Sequence, residues 1–206
     1  SLAGMSKATV ADTIADQSVE DPIPAQPIDP PTITVTFGIN DSPLAGRDGK
    51  KVQSRVIRDR LLKECESNVA IKMVDTPGGE AFDVSGRGEL QMGVLIENMR
   101  REGFELSISR PRVIYKDVDG VKNEPIEEVT IDVDEEFSGA VIEKLSSRKG
   151  EMVDLKSSGS GKTRIIALVP SRGLIGYHSE FMTDTRGTGI LNRVFHSWSP
   201  HKGSIA

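Results

Sequence analysis

Two short segments of the chain have the residue types that bind nucleotide phosphates. KSSGSGKTR, residues 156–164, places Gly-Lys-Thr behind serine and glycine, and VDTPGG, residues 74–79, has the Asp-x-x-Gly spacing of a magnesium and γ-phosphate switch. A phosphate loop needs a first glycine five residues before Gly161, and that position is Lys156. Asp75 also precedes the apparent loop, and no Asn-Lys-x-Asp guanine motif is present. We therefore predict that both segments are turns between strands and that the chain neither binds nor hydrolyses GTP.

No other pattern predicts an active site or a metal site. The single cysteine, Cys65, falls in step with Ile57 and Leu61 on a predicted helix, which is typical of a core residue. The three histidines lack ligand-like spacing with cysteine or clustered carboxylates, and there is no G-x-S-x-G nucleophile motif. The sequence thus predicts no catalytic, cofactor-binding or metal-binding residues.

The composition is that of a globular chain with an uneven charge distribution. Of its 206 residues 36% are hydrophobic and 28% charged, and no apolar run approaches the length of a membrane span, so we expect a cytoplasmic location and no membrane contact. Residues 1–31 and 117–136 carry net charges of -4 and -8, whereas residues 32–116 carry +2 and residues 137–206 carry +5. Mildly cationic units permit contact with nucleic acid.

Hydrophobic periodicity gives the same order of elements twice after a proline-rich linker at residues 21–31. The predicted elements of the first unit are strand 32–39, helix 51–67, strands 69–74 and 81–84, helix 89–101 and strand 104–109. Those of the second unit are strand 129–133, helix 139–148, strands 151–156 and 163–169, helix 174–183 and strand 190–196. An Arg-Gly pair precedes the second helix of each unit, at Arg87-Gly88 and at Arg172-Gly173.

This repeat predicts an α+β fold of two tandem ferredoxin-like βαββαβ units, each an antiparallel sheet with two helices on one face. We place the units at residues 31–116 and 117–206, joined by an acidic link at residues 115–125. Residues 1–30 are expected to be the remnant of a preceding domain together with the linker.

Three longer segments resemble the BipA/TypA family of translational GTPases: VDTPGGEAFDVSGRGELQMGVLIENMRREGFELSISRPRVIY, EEVTIDVDEEFSGAVIEKLSSRKGEM and VPSRGLIGYHSEFMTDTRGTGILNRVFHSW. The resemblance covers nearly all of the chain. It implies an internal fragment, in which residues 1–20 end a β-barrel and the two units are equivalent to domains III and V of elongation factor G. Elongation factor G itself has a large domain between these units, and elongation factor 4 has a different entry to the helix.

The resemblance implies ribosome-associated GTP hydrolysis linked to ribosome assembly, stress and low-temperature growth, with GTP and Mg²⁺ bound by a domain outside this chain. For this chain it implies ribosome docking and interdomain relay, through ribosomal RNA and ribosomal proteins, without DNA and as a monomer. The candidate RNA contacts are basic residues at turns and helix entries: Arg47, Lys50, Lys51, Arg55, Lys162, Arg172, Arg186 and Arg193. The second unit, with its higher net charge, is expected to contribute most.

Two alternatives remain open at this stage. An RNA recognition motif has the same βαββαβ plan, but it stacks bases on sheet aromatics within a K/R-G-F/Y-G/A-F-V run that this sequence lacks. A ferredoxin-like module for protein interaction or small-molecule sensing, without RNA contact, is the second alternative, because a fold does not fix a function.

Overall fold

The computed structural model describes residue 8 and residues 12–205, and it divides into two compact units, Ser1–Pro111 and Arg112–Ala206. The division falls a few residues before the boundary at residues 116 and 117 that the sequence analysis places there. From residue 12 to the first strand, the described chain forms a turn but no helix or strand. Much of the predicted barrel remnant lies outside the described residues.

The first unit follows the predicted element order. Its elements are β1 (Ile33–Ile39), α1 (Ser54–Ser67), β2 (Lys72–Asp75), β3 (Ala81–Gly86), α2 (Glu89–Arg101) and β4 (Leu106–Ile108). Helix α1 begins three residues later than predicted because the backbone of Lys51 is engaged elsewhere: its carbonyl accepts from the Glu105 N–H at 3.3 Å, and its N–H donates to the carbonyl of Gly103 at 3.1 Å. In a helix that began at Lys51, this carbonyl would instead accept from the N–H four residues later.

The second unit repeats this order with an extended first strand. Its elements are β5 (Arg112–Val113), β6 (Lys116–Val118), β7 (Val121–Asp134), α3 (Glu135–Ser147), β8 (Glu151–Ser157), β9 (Lys162–Pro170), α4 (Ser171–Leu174), α5 (Tyr177–Asp184) and β10 (Ile190–Pro200). The predicted helix 174–183 begins three residues later, at Tyr177, and the short helix α4 precedes it, since Gly176 between them has a left-handed backbone with φ of 73°. A left-handed residue interrupts a right-handed helix, and glycine adopts it without a Cβ clash.

Both sheets have the ferredoxin-like strand order, which confirms the predicted fold class. The strands of the first sheet lie in the order β2-β3-β1-β4 and those of the second in the order β10-β7-β9-β8, and all of these pairs are antiparallel. In each unit the first and third strands are central, as a βαββαβ connection requires. The two phosphate-loop-like segments lie in the corresponding β2–β3 and β8–β9 turns, where Gly78, Gly79, Gly159 and Gly161 have positive φ.

Each sheet buries one face beneath its helices. In the second unit, inward-facing residues of β7 and β9 pack against α3, α4 and α5, with Ile131, Ile165, Leu145 and Phe181 fully buried. In the first unit Phe37, Phe82, Leu61 and Met99 are buried in the same way. The alternation of buried residues in strands, and their spacing of three to four residues in helices, explain why the sequence pattern located the elements.

The acidic segment between the units is part of the second sheet. Strands β6 and β7 form a hairpin in which Lys116 pairs with Asn123 and Val118 with Val121. The turn at Asp119 and Gly120 has positive φ at both residues, as the type I′ turn of a two-residue hairpin requires. The segment that sequence analysis treats as a link is therefore a two-stranded extension of β7.

Candidate nucleic-acid interface

The first-unit candidates lie on the loop between β1 and α1, residues 40–53, and on the first turn of α1. The loop starts with local hydrogen bonds, because the Asn40 side chain accepts from the Ser42 N–H at 3.1 Å and the Ser42 hydroxyl accepts from the Leu44 N–H at 3.1 Å. Such hydrogen bonds from side chains to nearby backbone groups restrict the conformations that the loop backbone can adopt. The cations that follow therefore extend from a folded loop.

A carboxylate from a distant strand region holds this loop. Glu105 accepts hydrogen bonds from the Gly46 N–H at 2.7 Å, from the Gly49 N–H at 3.3 Å and from Asn40 Nδ2 at 2.6 Å. These donors, the Gly46 N–H most strongly, lower the pKa of the Glu105 carboxyl below its ordinary value. Glu105 is therefore ionised at neutral pH and fixes both ends of the loop.

The far end of the loop lies directly on the chain that follows α2. The Lys51 N–H donates to the Gly103 carbonyl, the Glu105 N–H donates to the Lys51 carbonyl at 3.3 Å, and Lys51 Nζ lies 4.6 Å from the centre of the Phe104 ring. A Cβ on Gly49 would lie 2.6 Å from the Gly103 carbonyl oxygen, so only glycine fits at this position. The loop is thus anchored at Glu105 and at Lys51.

Four cations are presented on this anchored segment. Arg47, Lys50, Lys51 and Arg55 are all exposed, and none forms an ion pair with a residue in the described part of the chain. Exposed, unpaired guanidinium and ammonium groups on a fixed backbone are suited to phosphate oxygens.

Arg172 of the second unit lies in a different environment. Its guanidinium donates to the Glu124 carboxylate, whose other oxygen accepts from the Lys202 N–H at 2.8 Å. The side chain of Glu124 is 0% exposed and that of Arg172 is 14% exposed. Burial alone would raise the pKa of Glu124, but the hydrogen bonds from Arg172 and Lys202 outweigh it and the pKa is lowered. Arg172 neutralises a buried carboxylate and has little surface for an external phosphate.

Arg193 forms a similar pair across two neighbouring strands. Its Nε and Nη2 donate to the two carboxylate oxygens of Glu127, both at 2.8 Å, and Glu127 is 4% exposed. The two-pronged geometry matches a guanidinium to a carboxylate. Arg193 therefore joins β10 to β7. Its contact with RNA stays a prediction, and its side chain already has a structural role in the pair with Glu127.

Lys162 and Arg186 are exposed, as a phosphate contact requires. Lys162 is the first residue of β9, beside the serine-glycine turn. Arg186 has a positive φ of 50° and its guanidinium lies 5.6 Å from the centre of the Phe137 ring. Both remain candidates, although each lies on a separate turn of the unit.

Sequence reasoning did not single out the carboxylates that decide these roles. Glu124 lies between Asn123 and Pro125, and Glu127 lies beside Glu128, so neither stands inside an apolar run. Glu105 lies between Phe104 and Leu106, and an acidic residue between two apolar ones was the available signal there, because a carboxylate drawn away from solvent requires a partner. Among the described residues, no group of three or more histidine, cysteine, aspartate or glutamate residues is placed to hold a metal ion, and no helix there is long and apolar enough to cross a membrane.

Comparison with known proteins relates both units to ribosome factors. Residues 121–206 match the family model of the elongation factor G C-terminus. The large ribosomal subunit assembly factor BipA of Bacillus subtilis is 50% identical over 199 residues, covering 97% of this chain and 32% of that protein. The protein of the same name from Haemophilus influenzae is 50% identical over 202 residues, covering 98% and 33%. That from Escherichia coli K12 is 48% identical over 194 residues, covering 94% and 32%. The chain thus spans about a third of the length of these relatives.

Proposed function

Because this chain belongs to the BipA family over the third of the relatives' length that it matches, we propose that it is the ribosome-docking and interdomain-relay part of a translational GTPase that assists large-subunit assembly. Its partners are ribosomal RNA and ribosomal proteins, and it works in the cytoplasm as a monomer. GTP and Mg²⁺ bind a separate domain of the parent protein. This chain contributes no catalytic residue to GTP hydrolysis. Roles in stress response and low-temperature growth belong to the same proposal.

The observation that carries the docking role is the anchored cationic loop of the first unit. Its four cations project from a backbone already ordered by Glu105 and by the pairing at Lys51. A preformed loop loses less conformational entropy on binding than a free one does. We propose that Arg47, Lys50, Lys51 and Arg55 contact phosphates of ribosomal RNA, with Lys162 and Arg186 as weaker contacts from the second unit.

A salt series with purified large ribosomal subunits tests this proposal. The logarithm of the binding constant falls with the logarithm of salt concentration by about 0.7 to 0.9 for each phosphate contacted. Replacing Arg47, Lys50 and Arg55 together by alanine should therefore flatten the slope by about 2 to 3 and weaken binding at low salt. Binding is measured by co-sedimentation of the chain with the subunits.

The matched control changes three other exposed or half-exposed cations of the same unit, Arg58, Lys63 and Arg101, to alanine. This control removes three positive charges, as the loop variant does. Because Arg58 and Arg101 are ion-paired with Asp75 and Glu97, we expect it to retain most of the salt dependence of binding. Salt-independent binding would contradict the proposal and favour the interaction module without RNA contact. An equal effect of both triple variants would contradict the assignment to the loop.

A further inference from the structure

The outer end of the second sheet combines two lysines with two exposed or half-buried aromatic rings. Lys116 Nζ lies 4.3 Å from the centre of the Trp198 ring, and Lys122 Nζ lies 3.8 Å from the centre of the Tyr115 ring. Trp198 lies 5.7 Å from Phe195 and Tyr115 lies 5.8 Å from His201, centre to centre. We call the four residues Tyr115, Lys116, Lys122 and Trp198 the aromatic-lysine end.

Strand pairing explains why these residues meet. Strand β7 is flanked here by β6 and β10, so that Asn123 pairs with both Lys116 and Pro200, while Pro125 pairs with Trp198. The hairpin continues past the main part of the second sheet, because β9 pairs with β7 only from Ile126 onward. Tyr115 and Lys116 are consecutive and β-strand side chains alternate between faces, so the end carries an aromatic ring near a lysine on each side.

Both rings can be reached from solvent, and neither lysine is held by an ion pair with the described residues. Tyr115 is 39% exposed, and Trp198 is half-buried. Lys116 and Lys122 are exposed and form no ion pair with the described residues. A lysine over a ring is only weakly held at an exposed site, so a flat ligand can displace it and leave the ammonium free for an anion.

The acidic residues nearby do not cancel these cations. Glu124 is buried against Arg172, and Asp117 accepts the Gly120 N–H at 2.9 Å within the turn. Asp119 is at the exposed tip of the hairpin. Lys202 and the exposed imidazoles of His196 and His201 lie on the β10 side. Lys202 is paired with Glu151, so the cations left without an ion pair beside the two acids of the turn are Lys116 and Lys122.

We propose that the aromatic-lysine end is a binding site for unpaired nucleotides of RNA. A base stacks on the Trp198 or Tyr115 ring, and the displaced Lys116 or Lys122 contacts the adjoining phosphate. Bases in a helix are already stacked on each other, so stacking on protein rings selects single-stranded loops, bulges and ends. The inference rests on the proposed function for its RNA partner, and it adds a contact made through bases to the phosphate contacts of the first unit.

The chain carries its own reporter for this site, because Trp198 is its single tryptophan. The probes are an eight-nucleotide oligoadenylate RNA and an abasic oligomer of the same length and charge. We expect the oligoadenylate to quench Trp198 fluorescence in a saturable titration, and the abasic oligomer to bind more weakly with little quenching. Anisotropy of end-labelled oligoadenylate supplies the affinities independently of tryptophan.

Variants separate stacking from charge. Tyr115→Leu and Trp198→Leu should each weaken oligoadenylate binding about tenfold, whereas Trp198→Phe should retain most of the affinity. Lys116→Ala should reduce the salt slope by about 0.7. The control Lys156→Ala, in an exposed lysine paired with Asp154 on β8, should change neither quenching nor affinity. The retained affinity of Trp198→Phe and the exposed position of Tyr115 distinguish lost stacking from lost folding.

Equal quenching by the abasic oligomer, or unchanged affinity in both leucine variants, would overturn the base-stacking site while leaving phosphate docking by the first unit intact. Quenching by ribosomal proteins but not by oligoadenylate would also overturn it. Loss of salt dependence with large subunits, by contrast, contradicts the proposed function and does not affect the titration with oligoadenylate.

Discussion

The two units share one topology but use their carboxylates in opposite ways. In the first unit the half-buried Glu105 holds backbone N–H groups, so the arginines and lysines of the neighbouring loop stay free. In the second unit the buried Glu124 and Glu127 each hold an arginine side chain, so that positive charge is used within the fold. Carboxylates pair with arginines elsewhere in the first unit, as at Arg58 and Arg60, but at its loop Glu105 leaves the cations free, whereas Glu124 and Glu127 neutralise theirs.

Net charge is a poor measure of the charge that a unit can offer to a partner. Residues 137–206 have ten basic and five acidic residues, yet seven of the ten cations are ion-paired. The paired residues are Lys144, Arg148, Lys156, Arg164, Arg172, Arg193 and Lys202. The first unit has the lower net charge but the denser group of unpaired cations. The prediction that the second unit contributes most of the RNA contacts therefore rests on positive charges that are mostly ion-paired within the unit.

The largest expected effect comes from removing a buried carboxylate of the second unit. Glu124→Gln leaves Arg172 without its counter-charge in a site with little water, and we expect a loss of about 3 kcal/mol in the free energy of unfolding. Urea unfolding followed by Trp198 fluorescence measures this unit specifically. The control Glu143→Gln changes an exposed carboxyl on α3 and should cost less than about 0.5 kcal/mol. Equal stability of the two variants would show that the buried pair does not distinguish the units.

A smaller effect is expected when the guanidinium joining β10 to β7 is replaced by an ammonium. Arg193→Lys keeps the charge but loses the two-pronged bond to Glu127, and should cost about 1 to 2 kcal/mol. The salt slope of ribosome binding should not change, because the residue acts within the fold. Arg164→Lys is the control, since Arg164 also holds an aspartate with two bonds but is 56% exposed, and it should cost less than about 0.5 kcal/mol. A reduced salt slope in Arg193→Lys would restore Arg193 as an RNA contact.

Removing the carboxylate that orders the first-unit loop should affect dynamics more than stability. Glu105→Ala leaves the N–H groups of Gly46 and Gly49 to solvent, and we expect their hydrogen exchange to accelerate about fivefold. Glu102→Ala, which removes the nearby carboxylate paired with Arg60, should leave that exchange unchanged. Unaltered exchange in Glu105→Ala would mean that the loop orders without its anchor.

The smallest effect is a chemical-shift change with pH. The pKa of Glu105 in the folded chain lies below its ordinary value, so its hydrogen bonds are fully formed above the unfolded-state pKa and are lost as pH falls through the lower folded value. We expect the amide shifts of Gly46 and Gly49 to move together below about pH 4, where an unperturbed glutamate already titrates. The titration should vanish in Glu105→Gln. A midpoint at or above the ordinary value would contradict the anchoring role.

The fold was predictable from the sequence because its signals are local. The alternation of Val129, Ile131 and Val133 marks a strand, and the spacing of Met92, Leu95 and Met99 marks a helix face. The errors are local as well. The start of α1 moved because the Lys51 carbonyl accepts from the Glu105 N–H, and the acidic link proved to be a hairpin because β7 extends to Val121.

The candidate site was predictable only as a set of basic residues. Their positions at turns and helix entries predict surface cations, and Arg47, Lys50 and Lys162 are exposed, while their contact with RNA stays a prediction. The same reasoning selected Arg172 and Arg193, whose side chains are engaged inside the fold. Nothing within a few residues of either arginine marks the difference.

The sequence by itself determined the two βαββαβ units, their turns and the absence of a complete phosphate loop, because each depends on the order and spacing of neighbouring residues. Tertiary structure alone decided which charges remain free. Glu127 and Arg193 are 66 residues apart, and Gly46 and Glu105 are 59 apart, so only strand pairing and loop docking bring them within hydrogen-bond distance. Whether a carboxylate takes an arginine or a backbone amide depends on which group that packing places beside it.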